Sequence, residues 1–154
     1  MQGCRKISLA ILLTVVCAGL AAAQAPAYTA TLQNQVTTNS CSAGEPVALS
    51  GTISYQVAVS TDPTTGANTF TITASSNLNG VGQTTGGNYT AGDSSDYIVS
   101  STQPSTEAVV EFKSDLTSQG SAPSMTLVQT LDIVVDASGN ISAQVTGNTT
   151  QCGS

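Results

Sequence analysis

Apolar and polar residues alternate along most of the chain beyond its first two dozen residues. From Val47 to Val59, thirteen residues, every odd position except Gly51 is apolar or aromatic, and the even positions carry Ala, Ser, Thr or Gln. A period of two is the pattern of a half-buried β-strand. The same alternation predicts further strands whose inward residues are Tyr28, Ala30, Leu32 and Val36; Phe70, Ile72, Ala74 and Leu78; Ala108, Val110, Phe112 and Leu116; Met125, Leu127, Leu131, Ile133 and Val135; and Ile141, Ala143 and Val145.

Each predicted strand has one apolar face and one hydroxyl-rich face, which is typical of antiparallel sheets that bury one side. No segment keeps a helical repeat for three turns, so a parallel α/β architecture is excluded. The segments "STDPTTGAN" (60–68) and "DASGN" (136–140) have the composition of hairpin turns. The sequence therefore predicts an all-β antiparallel meander of about seven or eight strands, arranged as a β-sandwich or an up-and-down β-barrel.

The first residues have the layout of a secretory signal peptide. Arg5 and Lys6 precede an apolar stretch from Ile7 to Leu20, and three alanines follow at 21–23. We expect residues 1–23 to be removed and residues 24–154 to form a single all-β domain that is secreted, either extracellular or periplasmic. No later apolar run approaches the roughly 20 residues of a membrane-spanning helix, so no membrane span is expected.

Charge narrows the range of partners. The predicted mature chain keeps one basic residue, Lys113, against nine carboxylates, which gives it a formal charge of −8. Such a chain repels phosphate backbones, so nucleic acid is excluded as a partner. Only 8% of all residues are charged, whereas Ser and Thr number 20 and 23 of 154. The surface must therefore be covered mainly by hydroxyls and amides.

Two cysteines remain after the predicted signal peptide. Cys41 and Cys152 form an even pair in an oxidising compartment and are expected to be disulfide-bonded to each other. A metal site with two thiolates is the competing interpretation, but the sequence contains no His and zinc prefers four N or S ligands. No cofactor is expected.

The densest glycine stretch is "NGVGQTTGGNYT" (79–90). A dinucleotide-binding loop needs a strand before it and a helix after it, and a Walker loop needs Gly-Lys followed by Ser or Thr. Neither context is present. We therefore interpret Gly80, Gly82, Gly86 and Gly87 as structural glycines that permit corners and close backbone approach.

Several of these segments together resemble a recurrent group of small exported bacterial β-proteins of unknown function. The shared features are Cys41, "GEPVALSG" (44–51), "GVGQTTGGNY" (80–89), "VDASGNISAQV" (135–145) and Cys152. The resemblance implies a β fold and secretion, and it assigns a functional role to no residue.

Catalytic constellations are sparse. A Ser nucleophile needs a base, and the mature chain has no His and one Lys. Glu107 and Glu111 lie on the predicted outward face of their strand, where solvated charges are expected. Asp93 and Asp96 are a weak candidate pair for Ca²⁺, which requires six to eight oxygen ligands. We therefore expect a protein that is not an enzyme.

Two function classes remain. The first is a non-catalytic extracellular domain acting as a surface, matrix or binding module, with possible self-association or contact with envelope or matrix components through strand addition. The alternative is a carrier barrel for a small apolar ligand. In that case Tyr55, Phe70, Phe112 and Met125 would line a pocket beside Gln129, the single inward polar residue of its strand. Three sequons, at Asn88, Asn140 and Asn148, are expected on the surface if the host glycosylates.

Overall fold

A computed structural model describes residues 26–100 and 105–152, so the predicted signal peptide at 1–23 lies outside the described residues. Within these ranges the chain forms strands and turns and no helix. The strands are β1 (Ala27–Asn39), β2 (Glu45–Thr61), β3 (Asn68–Gly82), β4 (Asn88–Ala91), β5 (Ser94–Ser100), β6 (Glu107–Ser118), β7 (Met125–Val135) and β8 (Ile141–Cys152). No helix long and apolar enough to cross a membrane occurs in this part of the chain.

The strands form an antiparallel meander in the order β1-β2-β3-β4-β6-β7-β8, with β5 also paired to β3. β4 and β5 are two halves of one strand, because both pair with β3 in a single continuous register. Leu78 pairs with Ala91 and Ser75 pairs with Ser94, which leaves two residues on each side between the pairs. The sheet therefore has seven strand positions around its circumference.

The predicted alternation is confirmed for most of the chain. Ile53, Val57 and Ile133 are fully buried, and the inward residues of β2, β3, β6 and β7 form one hydrophobic core. The inward residues of β8 are half-buried and pack against this core. Because every strand turns its apolar face to the same interior, the chain has one core and one wet outer surface.

One inward assignment is wrong. Val36 is 55% exposed, whereas the alternation predicts it inside. Its strand contains a β-bulge between Leu32 and Gln35, and Asn34 there has a φ of 51°. The extra residue reverses the alternation beyond the bulge, so that Asn39 is buried and Val36 faces water.

The glycine-rich stretch begins inside a strand. β3 runs through Gly80 and Gly82, and the hairpin turn follows them. A Cβ at Gly82 would lie 2.3 Å from the Glu45 carboxylate, and one at Gly80 would lie 2.8 Å from the Leu49 side chain. These two glycines let buried side chains of β2 approach the β3 backbone, so the stretch has a structural role.

The sheet curls into a nearly closed barrel. Because the number of strand positions is odd, the first and last strands, β1 and β8, run parallel where they meet. The Tyr28 hydroxyl donates to the Ile141 carbonyl at one end, and Thr150 donates to the Thr38 carbonyl at the other. The Cys41–Cys152 disulfide, with 5.3 Å between its Cα atoms, joins the two strands beyond that end. Of the two predicted architectures, the structure is the barrel.

Candidate functional site

The line along which β1 and β8 meet, called here the β1–β8 seam, is one place where the barrel is not closed by backbone pairing. No backbone ladder joins the described residues of the two strands. A seven-stranded meander brings its first and last strands together in parallel, and parallel pairing is less stable per residue than the antiparallel pairing found elsewhere in the sheet. The seam is therefore held by side chains and one disulfide.

The disulfide end of the seam is closed by a compact polar network. Asn39 is fully buried, and its amide donates to the Tyr89 hydroxyl (3.1 Å) and to the Pro123 carbonyl (2.9 Å). The Glu45 carboxylate accepts from the Thr85 hydroxyl (2.6 Å), from the Thr85 backbone N–H (2.9 Å) and from the Tyr89 hydroxyl (3.3 Å). The hydrogen bonds from Thr85 are the main cause that lowers the pKa of Glu45 below its usual value. This end of the barrel is thus tied to β2, β4 and the β6–β7 loop.

At the other end the seam opens into a cleft of about 460 Å³, called here the seam cleft. Residues 27–30 of β1 form one wall and residues 143–145 of β8 form the other. Tyr55 and Leu131, both almost fully buried, form the floor. The lining is mainly apolar, and the volume of the cleft falls within the usual range for small-molecule sites.

Backbone groups face each other across the cleft. The Pro26 carbonyl accepts from Val57, so alternate residues of β1 bond to β2 and the groups of Ala27 and Thr29 point to the seam. The Ile141 carbonyl accepts from Tyr28, so Ile141 and the alternate residues Ala143 and Val145 point to the seam from β8. Both walls therefore present strand edges.

A buried polar chain lies beneath the floor of the cleft. The Tyr55 hydroxyl donates to the Gln129 side-chain carbonyl (2.6 Å), and the Gln129 amide donates to Asn148 (2.6 Å). Burial, with a smaller effect from Tyr97, raises the pKa of the Tyr55 phenol above its ordinary value. Tyr55 is therefore a neutral donor, and Gln129 is the satisfied core amide that its inward position suggests.

A second unpaired edge, called here the β5–β6 opening, lies between β5 and β6. β6 pairs with β7 along its length, but on its other side its pairing among the described residues is limited to β4, at Tyr89–Ser118 and Thr90–Thr117. The outward side chains along the open part of β6 include Glu107, Glu111 and Lys113. Charges of this kind protect a free strand edge from pairing. In contrast, neither β1 nor β8 contains a charged residue.

The residues named for a carrier pocket are buried in the barrel interior. Tyr55, Phe70, Phe112 and Met125 are each about 1% exposed. Tyr55 and Phe112 make an edge-to-face contact with ring centroids 5.8 Å apart, and Tyr97 makes a similar contact with Phe112. Of the predicted set, Tyr55 alone lines the seam cleft.

Asp93 and Asp96, the predicted calcium pair, lie in different surroundings. Asp93 accepts from the backbone N–H of Asp115 (2.8 Å), at the break between β4 and β5, while Asp96 is exposed on β5. No three His, Cys, Asp or Glu side chains in the described ranges form a group that could hold a metal ion. The three sequon asparagines, Asn88, Asn140 and Asn148, are all exposed, and their modification stays a prediction.

Comparison with known proteins gives no match to a family model, to a curated protein or to a solved structure. Several wall residues of the seam cleft were predicted from the sequence as inward strand positions, but none was predicted as part of a binding site. The available signal was that the first and last predicted strands both lack charged residues. The absence of charge on these two strands becomes informative only when the fold shows that the strands are neighbours.

Proposed function

We propose that the protein is an exported, non-catalytic β-domain that acts through its surface as a binding module in an extracellular layer or matrix. The observation that carries this proposal is the packed interior. Large side chains occupy the space in which a barrel would hold a central ligand, so contacts with other molecules are left to the outer surface and the seam.

Three further features support export and a surface role. The disulfide is of a kind that persists in oxidising compartments. The residues that precede the described domain have the layout of a signal peptide. The exposed faces of the strands are rich in hydroxyls and poor in charge, which suits contacts made by hydrogen bonding over an extended surface.

The test is fractionation of cells that produce the full chain, combined with sedimentation of the exported protein across the micromolar range. We expect an oxidised protein that lacks residues 1–23 and is retained with the cell surface or matrix. A reduced, unprocessed protein in the cytoplasm would contradict the proposal. A stable monomer at all concentrations would exclude a self-associating subunit and leave a binding module for other molecules.

A second candidate function is a carrier that holds a small apolar ligand in the seam cleft, at the barrel wall. The cleft volume and the apolar floor of Tyr55 and Leu131 favour it. Titration with Nile red tests this candidate. A saturable fluorescence increase that is lost when Ala143→Leu fills the cleft would support it, and an unchanged signal would exclude the cleft as the site.

A further inference from the structure

We propose that the seam cleft binds an extended peptide segment of a partner protein, which adds as a strand antiparallel to both β1 and β8. The inference rests on the proposed binding function and names the site and the chemistry of the partner. Its grounds are the direction of the two strands, their free backbone groups and the charge along them.

Strand direction gives the first argument. β1 and β8 are parallel where they meet, so one inserted strand can run antiparallel to both. Insertion would convert a seven-position barrel with a mismatched seam into an eight-position barrel in which every neighbour is antiparallel. Insertion would pair the two edges at the seam, as neighbouring edges are paired in closed barrels, while the β5–β6 opening would remain. The parity of the fold thus specifies the orientation of the guest strand.

Backbone hydrogen bonding gives the second argument. The N–H and C=O groups of Thr29 on one wall and of Ala143 and Val145 on the other point to the seam. A peptide main chain supplies matching donors and acceptors on both of its edges, as in other complexes formed by strand addition. A compact apolar ligand would leave these groups without partners, at a cost in binding free energy.

The two openings of the barrel differ in charge, and this difference indicates which opening binds the guest peptide and which side chains the peptide carries. The β5–β6 opening carries Glu107, Glu111 and Lys113, whereas the strands of the β1–β8 seam are uncharged. On the outer face of β7, Asp132 pairs in register with Gln144 of β8, and one of its carboxylate oxygens is buried without a hydrogen-bond partner within the described structure. We infer a guest with apolar side chains toward Tyr55 and Leu131, and with hydroxyls and a basic residue, rather than an acidic one, on its outward side.

Tyr28 is the residue that must move. Its hydroxyl donates to the Ile141 carbonyl (2.6 Å), which is a seam-facing acceptor that the guest strand would use. Tyr28→Phe removes this competing bond without removing the ring. We expect it to tighten peptide binding roughly fivefold, the equivalent of one net hydrogen bond.

The experiment uses the exported, oxidised protein and a fluorescein-labelled synthetic peptide, Thr-Val-Lys-Val-Thr-Val-Thr. Comparison peptides replace Lys by Glu or rearrange the residues so that apolar and polar positions no longer alternate. Fluorescence anisotropy measures binding, and hydrogen exchange of the protein locates it. We expect saturable binding of the alternating basic peptide, weaker binding of both comparison peptides, and protection of the amides of Thr29, Ala143 and Val145.

Variants at one position provide the matched control. Thr29→Pro deletes a seam-facing N–H and should abolish binding, because proline is tolerated on a free strand edge and does not disturb the ladder to β2. Thr29→Ser should bind like the wild type. If Thr29→Pro does not fold, the exchange pattern of the wild-type protein still decides between sites.

Every other outcome overturns the inference. Protection of seam amides at high protein concentration without peptide would show that a second copy of the chain is the guest. Nile red binding that depends on Ala143 while no peptide binds would identify a small-ligand site. Absence of binding in an exported, surface-retained protein would reject the peptide site and leave the proposed function standing, whereas a cytoplasmic protein would reject the function whatever the peptides do.

Discussion

Most buried polar side chains in the described barrel are paired in short chains, while the buried Ser114 hydroxyl has no hydrogen-bond partner there. Tyr55, Gln129 and Asn148 form one chain that runs from the centre of the core to the surface of β8. A buried hydroxyl or amide without a partner is costly, and a paired one is close to neutral. This pairing explains how a core of mostly apolar residues accommodates Gln129 at 1% exposure.

A double-mutant cycle tests the pairing of Tyr55 with Gln129. Gln129→Met has a similar volume but leaves the Tyr55 hydroxyl buried without an acceptor, so we expect a loss of about 1 to 3 kcal/mol in the free energy of unfolding. Tyr55→Phe in that background should then restore part of the loss, because it removes the orphaned hydroxyl. Urea unfolding of the four proteins measures the coupling. Additive effects of the two substitutions would contradict the hydrogen bond.

Glu45 makes the free energy of unfolding depend on pH in the acidic range. Hydrogen bonds from Thr85 lower its pKa in the folded protein below the ordinary value of 4.5. Its contribution to stability is therefore complete above that ordinary pKa and is lost as the pH falls through the lower folded-state pKa. We expect the unfolding midpoint in urea to decrease from pH 6 to pH 3, and to decrease less in Glu45→Gln.

Two other carboxylates provide the control for Glu45. The pKa values of Asp62 and Asp136 are also lowered, mainly by hydrogen bonds from turn residues. These two carboxylates remain in Glu45→Gln, so the difference between the variant and the wild type isolates Glu45. Parallel pH profiles for the two proteins would show that Glu45 makes no differential contribution.

At the scale of the strand, consecutive residues lie on opposite faces of the sheet, one buried and one exposed. Val110 on β6 is 7% exposed and faces the core, whereas Val109 is 57% exposed and faces water. Val110→Asn should destabilise the protein by about 2 to 4 kcal/mol, because it removes apolar burial and adds an amide without partners. Val109→Asn should cost no more than about 1 kcal/mol. Thermal and urea unfolding of the pair check this, and equal losses would invalidate the assigned faces.

The strands could be predicted because period-two alternation is a local property that burial imposes on each of them. The reversal at Val36 could not, because the bulge at Asn34 depends on how β1 fits against β2. The alternation also did not predict that β3 extends through Gly80 and Gly82, because glycine weakens the strand pattern. Glycine is nevertheless required at these positions, since Leu49 and Glu45 approach the β3 backbone closely. Sequence patterns report faces more reliably than bulges and ends.

The candidate site was beyond local prediction for a different reason. Its two walls lie more than a hundred residues apart in the chain, as Tyr28 and Ile141 illustrate. Neither wall contains a catalytic, metal-binding or charged residue that would draw notice. The cleft follows from the number of strands in the barrel, and composition and alternation bound that number without fixing it.

At the scale of the whole molecule, an odd number of strand positions makes the β1–β8 seam parallel, and the disulfide and the cleft both lie along this seam. The parallel seam has no ladder to hold it, so a covalent bond is most useful there, and the disulfide secures one end. At the other end, where the cleft opens, the Tyr28 hydroxyl bonds to the Ile141 carbonyl. A barrel with an even number of strand positions would close by an antiparallel ladder. Its first and last strands would then have no free edge for a guest strand and would not need a disulfide to hold them together.

The contribution of the disulfide to stability can be tested through its effect on the unfolded chain. Cys41 and Cys152 are 111 residues apart, and closing a loop of that length stabilises a protein by about 4 to 5 kcal/mol in the chain-entropy model. The double variant Cys41→Ser with Cys152→Ser should lose stability of that order in urea unfolding. Reduced wild-type protein should unfold like the variant, and mass spectrometry of the exported wild type should find no free thiol at either position. If the oxidised protein and the double variant unfold at the same urea concentration, the bond is not what holds β1 to β8, and the side-chain contacts of the seam must do so.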